Sequence, residues 1–574
     1  CAVFALFLAR LAWLQFAMAD HYAQKMAEAS SASYTLPQHA ARGAITDRSG
    51  TVLAQDETVY DVYLRVPAPP GTNLRETVNT IAALTGGKDV ETQLAAFCSA
   101  VSAGELPVTQ GLDSIGAAAY YRAGLVQSGA VRLAARGVRR WPDGTILPHT
   151  LGFTGPITAE QWPAARAQGL AMDATIGQNG LEAAYDTLLR GRDGQLQINV
   201  GLDGVTRETV QTSTPVPGCT LVLTLDADLQ KTLQTALQNQ MDTLRTTKGI
   251  GAGREVRAGA AVVVDVRTGG ILAAASLPDF DLSRYRSDYA ALSADSAAPL
   301  LDRVCQGLYA PGSAFKPAVA AAALTADIDP AATVNCTGKY FYYSNYHPGC
   351  LQYGHRGPVD LRTALEYSCN IFFYDTGRRL GVDTFSAMAR QLGLANDTGV
   401  EITAAQGRLT WSTDTNYQDG LTLMAAIGQG NTAVTPLQLA QYAAALANYG
   451  RKPTLHFADR AVQPATGAAV WQYEPAFTEI PGGEAVFGPI RDGMKRMAQT
   501  ARALREAPVT VAAKTGSPQL ADTLPGGSHY VNSVLIGYAP ADDPQIAMAV
   551  VLEYGGGGAN GAPVMRAVLD AWFE

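Results

Sequence analysis

Lysine is scarce: nine of the 43 basic residues are Lys and the rest are Arg. Positive charge needed only for solubility therefore rests on Arg, and each Lys, which can lose its proton when buried, becomes a candidate for chemistry. Charge as a whole is sparse, at 16% of the 574 residues against 47% hydrophobic ones. That balance excludes a disordered chain and supplies a large core. The net charge is -8 and basic runs are missing, which excludes nucleic acid as a natural partner. The length is several times that of a typical domain, so two or more separately cored units are expected.

Long apolar runs are also lacking, except for one. Residues 1–19 are apolar apart from Arg10 and Gln15, and a polar helical pattern follows from Asp20. This predicts a membrane helix, expected to be a truncated anchor because ~20 apolar residues are needed to span a bilayer. A cleaved signal peptide is the rival reading, but a small-residue cleavage site is not evident. A single anchor leaves everything after residue 20 on one side of the membrane.

Residues 30–66 read as short strands broken by Gly50, with a Pro-rich turn at 67–71, and residues 74–103 as a helical stretch. Strand and turn signals return at 130–160, and 180–190 reads as a short helix in which Asp186 and Arg190 are spaced for an ion pair. A Pro-containing link at 212–218 places a boundary near residue 220, giving units 1–19, 20–219 and 220–574. In the last unit, 258–266 and 270–275 predict a hairpin, 313–328 and 359–380 predict apolar helices, and 533–538 and 545–554 predict strands. Strands at both ends of a helical middle predict one α/β sheet whose first and last segments meet.

Three motifs carry chemistry. Ser313 and Lys316 lie three apart at the start of an Ala-rich helix, which places them on one face. A hydroxyl is a poor nucleophile until a neighbouring base takes its proton, and a buried Lys can do so. Ser368 and Asn370, in another helical stretch, offer a hydroxyl to relay protons and an amide to hold a carbonyl. Lys514, Thr515, Gly516 and Ser517 follow an apolar run and predict an edge strand able to pair with an extended peptide.

Ser-x-x-Lys, Ser-x-Asn and Lys-Thr-Gly in this order, 55 and then 146 residues apart, resemble the motif set of penicillin-binding proteins and β-lactamases. The segments from Arg42 to Gly50 and from Gly177 to Gly191 resemble the N-terminal module of class B penicillin-binding proteins, and Gly428-Gln-Gly430 with Thr435-Pro436-Leu437-Gln438 resembles their late transpeptidase segment. The resemblance implies a β-lactamase-like α/β transpeptidase domain, with an antiparallel sheet and helices, on an elongated α+β pedestal with one membrane anchor. It implies that Ser313 attacks a stem-peptide D-alanine carbonyl, Lys316 is the base, Ser368 relays the proton and Asn370 holds the substrate amide. Lys514 and Thr515 then bind the terminal carboxylate, and the backbone N–H groups of Ser313 and Ser517 form the oxyanion hole. The implied partners are peptidoglycan stem peptides, β-lactams and a separate glycosyltransferase, and the implied location is the cell membrane with an extracytoplasmic catalytic domain. A catalytically silent scaffold, a β-lactamase and a β-lactam sensor are the alternatives. No Glu is placed as a deacylating base, and a sensor needs several membrane helices.

Cysteine numbers seven, too few for a disulfide-built fold, yet Cys336, Cys350 and Cys369 fall within 34 residues together with His355. Three thiolates and an imidazole suit a structural zinc, although the gaps of 13, 4 and 13 residues lack a tight C-x-x-C signature. A Cys336–Cys350 disulfide or buried free thiols are the alternatives. His347 can replace His355 in the set; Gly354-His-Arg-Gly357 resembles a Gly-His-Gly turn of the family with Arg356 inserted, and some members carry zinc-liganding Asp, His and Cys in this stretch.

Overall fold

The computed structural model describes residues 2–28, 30–69, 71–86, 89–100, 104–172, 174–201, 206–249, 251–350, 355–525 and 527–574. Its C-terminal part is built on an antiparallel sheet of five strands in the order Ile271–Leu277, Gly259–Asp265, Ile546–Leu552, Ser533–Ala539 and Ala512–Gly516. The first and last segments do meet: Gly259–Asp265 pairs with Ile546–Leu552 from Gly259 opposite Leu552 to Asp265 opposite Ile546. Three of these strands are buried along their whole length, which is why they read as unbroken apolar runs.

Alternation along a strand divides the sheet between two cores. Ala261 and Val263 face one core with Leu233, Leu237 and Met241 of the helix Ala227–Arg245 and Val568 and Leu569 of the helix Ala562–Phe573. Ala260, Val262 and Val264 face the other, which holds the helices Lys316–Thr325 and Pro436–Ala447. All twelve residues of Pro436–Ala447 are buried, and its start is fixed by a capping box between Thr435 and Gln438 with Pro436 in the first turn.

In the N-terminal part, the fifteen-residue strand Val52–Val66 pairs with Gly104–Leu112 and with Val131–Arg140. A separate core forms over it from Val62, Leu64, Ile81, Tyr120 and Val131. The helical stretch expected over 74–103 is two helices, Leu74–Leu84 and Val90–Ala100. Gly86, at φ +70, takes a conformation that helices do not propagate, and the last three residues of that stretch lie outside the described residues. Similarly, 180–190 forms two short helices, Gly180–Ala184 and Asp186–Arg190, with the expected Asp186–Arg190 pair at 2.8 Å.

The two parts share backbone. Thr220–Leu223 runs parallel to Ile45–Thr46 and antiparallel to Ala458–Val462, so one sheet continues from the N-terminal strands into the C-terminal ones. The apolar N-terminal segment forms the helix Ala2–Ala12, a π-helical turn Trp13–Ala17 and the helix Ala19–Glu28. Val3, Phe4, Leu6 and Phe7 are exposed on it. Among the described residues no helix is long and apolar enough to cross a membrane.

Candidate active site

Ser313 lies in a 3-10 turn, Gly312–Phe315, that runs directly into the helix Lys316–Thr325. Gly312 opens the turn at φ +56, where an added Cβ would lie 3.0 Å from Pro518, so the Ser313 turn and the segment after Lys514 touch through backbone. Gly312 N–H also donates to Gly428 O at 2.9 Å, which places the Gly428-Gln-Gly430 segment against the same turn.

The stretch holding Ser368 and Asn370 is not one helix. Leu361–Glu366 ends, Ser368 takes the left-handed conformation at φ 56, and Asn370–Leu380 begins with Cys369 as its N-cap residue. The left-handed residue breaks the helical ladder and turns both its hydroxyl and its carbonyl toward Lys316. Lys316 Nζ donates to Ser368 O at 2.7 Å, to Asn370 Oδ1 at 2.7 Å and lies 3.1 Å from Ser368 Oγ. From the opposite side Lys514 Nζ lies 3.0 Å from Ser368 Oγ and 3.0 Å from Thr515 O.

Both lysines are fully buried. Burial holds the Lys316 ammonium down to about 7, against the opposing pull of the Cys369 and Cys350 thiols. Burial and the neighbouring Lys316 charge push Lys514 well below the usual lysine range. A neutral amine next to a serine hydroxyl is able to accept a proton at neutral pH, which an ordinary lysine is not.

The strand Ala512–Gly516 is the last of its sheet, as expected for an edge, and carries Lys514, Thr515 and Gly516. A Cβ on Gly516 would come within 2.2 Å of Pro311 O, so only glycine lets this strand close on the Ser313 turn. Ser517 is exposed, and its Oγ accepts from Gly558 N at 2.8 Å. An open cavity of ≈ 370 Å³ bordered by Arg139, Trp141, Phe153 and Tyr285 is lined by none of the motif residues.

Cys336, Cys350, His355 and Cys369 converge beside the site, all buried, with their ligating atoms within 4.8 Å of one another. His355 Nε2 lies 3.6 Å from both Cys336 Sγ and Cys350 Sγ. Tetrahedral zinc with bonds of ~2.3 Å to sulfur and ~2.0–2.1 Å to nitrogen separates those atoms by about 3.6 Å, so the donor set fits the ion. Cys336 and Cys350 are not joined by a disulfide. His347 instead places its ring against Phe341, 5.0 Å away and tilted by 47°, and Gly354 of the expected turn lies outside the described residues. The cluster reaches the Ser-x-Asn motif twice: Cys369 sits between Ser368 and Asn370, and Asn370 N donates to Cys350 Sγ at 3.4 Å.

The two segments that resemble the N-terminal module, around Arg42 and around Glu182, are far apart in sequence. They meet in a buried ion cluster, with Glu182 accepting from Arg42 Nε and from Arg139 Nε at 2.6 Å each. No local pattern signals it, because Arg42 and Glu182 lie 140 residues apart.

Comparison with known proteins matches residues 259–570 to the penicillin binding protein transpeptidase domain and residues 37–223 to the penicillin-binding protein dimerisation domain. Peptidoglycan D,D-transpeptidase MrdA of Acinetobacter baumannii is 28% identical over 565 residues, covering 94% of this chain and 81% of the relative. Its counterpart from Escherichia coli K12 is 26% identical, covering 93% and 87%. A solved peptidoglycan synthase complex that coordinates polymerization and crosslinking aligns with a TM-score of 0.75 at 29% identity, over 100% of this chain and 96% of that one. Helicobacter pylori PBP2 in complex with MreC shares the fold at a TM-score of 0.76 and 23% identity, over 94% and 99%. Because the transpeptidase match alone spans more than half of the 574 residues, the chain belongs to the penicillin-binding protein transpeptidase family.

Proposed function

We propose that the protein is a peptidoglycan D,D-transpeptidase that works through an acyl-enzyme on Ser313. The observation that carries this reading is the convergence of two buried lysines on one serine hydroxyl, beside the turn that holds Ser313. Lys316, partly neutral at physiological pH, takes the Ser313 hydroxyl proton as the oxygen attacks the carbonyl of the penultimate D-alanine of a stem peptide. The tetrahedral oxyanion is stabilised by the backbone N–H groups of Ser313 and Ser517. Collapse breaks the peptide bond, and the terminal D-alanine leaves with a proton delivered through Ser368. The amine of a second stem then attacks the ester, gives up a proton along the same path, forms the cross-link and frees Ser313.

Asn370 holds the donor amide and the Lys316 ammonium together. Thr515 on the edge strand receives the terminal carboxylate, while the buried Lys514 acts on that end of the site through the Ser368 hydroxyl. β-Lactams acylate the same serine, because their ring carbonyl occupies the place of the scissile amide.

Zinc on Cys336, Cys350, His355 and Cys369 would be structural, a closed four-ligand site that pins the Ser368–Asn370 turn. Residues 1–19 tether the enzyme to the membrane, 20–219 form the pedestal and 220–574 the extracytoplasmic catalytic domain. The relation to a peptidoglycan synthase complex supports a polymerising glycosyltransferase as partner. Intact mass spectrometry before and after penicillin tests the reading: one covalent adduct is expected on the native chain and none on Ser313→Ala. Absence of an adduct on folded native protein leaves a non-catalytic scaffold as the function.

A further inference from the structure

Five of the seven residues from Tyr340 to Tyr346 are aromatic, in a chain that is 8% aromatic overall. Three of them do not fill a core. Phe341 is 63% exposed, Tyr342 59% and Tyr346 37%. Leaving such rings in water forgoes burial worth roughly 1.5–3 kcal/mol for a side chain of this size, so a patch of them at one place marks a binding surface.

The loop is built to hold still. At one end, Tyr340 is buried, donates its hydroxyl to Asp375 Oδ1 at 2.9 Å and accepts from Arg378 Nε at 2.9 Å. Asp375 and Arg378 belong to the helix Asn370–Leu380, whose first residue is the Asn370 of the active site. At the other end, Gly349 O accepts from Asn370 Nδ2 at 3.2 Å. Backbone bonds from Tyr340 N to Pro348 O and from Cys350 N to Gly338 O close the loop on itself. Tyr342 is stacked on Tyr340 and lies under the Arg378 guanidinium, 3.9 Å from ring centroid to Cζ. The exposed rings are thus fixed to the element that positions Asn370.

We propose that Phe341, Tyr342 and Tyr346 form a platform for the polysaccharide of the substrate, the N-acetylated sugar rings that carry the stem peptides. The inference rests on the transpeptidase reading. Flat rings with hydroxyl tips match pyranose rings, which present C–H groups on a face and polar groups around the rim. The segment 337–350 carries Lys339 and no carboxylate; of the carboxylates against it, Asp375 is paired with both Arg378 and Arg379 and Asp419 lies beside Tyr343, so the charges at this face leave no net repulsion for a strand whose stems end in carboxylates. Position supports the same occupant: Gly349 at the end of the loop bonds Asn370 of the proposed acyl site, and an extended five-residue stem reaches at most about 18 Å at ~3.3–3.6 Å per residue, so a sugar whose stem is bound there stays within that radius of the loop's end.

The test uses the full chain and glycan strands stripped of stem peptides by an amidase, with binding followed by calorimetry. Phe341→Leu with Tyr342→Leu keeps apolar bulk and removes the ring faces. It is expected to bind the stripped strands about tenfold more weakly, the scale of one lost aromatic anchor, and to cross-link intact strands correspondingly less. Its rate of acylation by penicillin, which has no glycan, is expected to stay at the native value. Phe341→Trp, which keeps a ring, is expected to retain strand binding. Unchanged strand binding by the Leu variant overturns the proposal. A parallel fall in penicillin acylation also overturns it, because the loop then only supports the acyl site. A defect seen only with a polymerase partner present overturns it in favour of a protein interface. Native protein that penicillin does not acylate removes the transpeptidase reading itself, a result separate from all of these.

Discussion

Lys316 and Lys514 aim their nitrogens at the same oxygen, Ser368 Oγ, from 3.1 and 3.0 Å. Two ammonium groups sharing one hydroxyl in a buried site repel each other and lack water, so the site favours losing a proton. For Lys316, the proposed base, burial is the leading cause.

A pH dependence follows from that arrangement. Lys316 is protonated and useless as a base below its folded value of about 7, and becomes competent above it. The rate of penicillin acylation is expected to rise as pH passes upward through 7 and then to level. Lys316→Arg keeps a positive charge that cannot be shed, and is expected to lose about 10²–10⁴-fold in that rate at every pH, the usual contribution of a general base. Stopped-flow acylation across pH 5 to 9 checks both; a flat native profile would point to a different base.

How much of this was legible in sequence depends on the residue. Ser313, Lys316 and Lys514 announced themselves because Lys is rare and each stands in a fixed local motif. The sheet closure from Gly259–Asp265 to Ile546–Leu552 was legible because buried central strands are continuously apolar. The helix break at Ser368 was not, since nothing in Ser-Cys-Asn forces a left-handed φ; tertiary bonds from Lys316 impose it. The Arg42–Glu182–Arg139 cluster was equally hidden, because partners 140 residues apart leave no periodic signal.

That cluster carries a stability prediction. Glu182 is wholly buried between Arg42 and Arg139 and is the one carboxylate both share, Asp186 adding to Arg42 and Asp56 to Arg139. Glu182→Gln keeps the shape and removes the charge, leaving buried arginines undercompensated, which is expected to cost about 3–5 kcal/mol. Urea unfolding followed by limited proteolysis of the N-terminal part reads the loss. Glu57→Gln, in an exposed pair with Arg140, is the control and is expected to change stability by less than about 1 kcal/mol.

Metal removal is predicted to act through Asn370. Native protein is expected to carry one zinc per chain by elemental analysis, and Cys350→Ser to carry far less. Without its four-ligand clamp the Ser368–Asn370 turn loosens, so thermal stability and the acylation rate are expected to fall together. Full activity in metal-free protein would show that hydrogen bonds alone hold the turn.

Glycine 516 offers the sharpest steric test. An added Cβ would sit 2.2 Å from Pro311 O and 3.2 Å from Ala314 N, so the edge strand closes on the nucleophile turn only without a side chain. Gly516→Ala is expected to fold, because the obstruction lies between a terminal strand and a turn rather than within the core. The strand must then move off, drawing Lys514 from Ser368 and Ser517 from the oxyanion position. A displacement of ~1 Å in such a site costs on the order of 10²-fold in rate, which is the expected drop in penicillin acylation. Gly557, where an added Cβ meets nothing within 4 Å and φ is -64, supplies the control. Gly557→Ala is expected to acylate at the native rate. Equal rates in both variants would mean that the strand and turn are not in contact in solution, and that Lys514 reaches Ser368 by some other path.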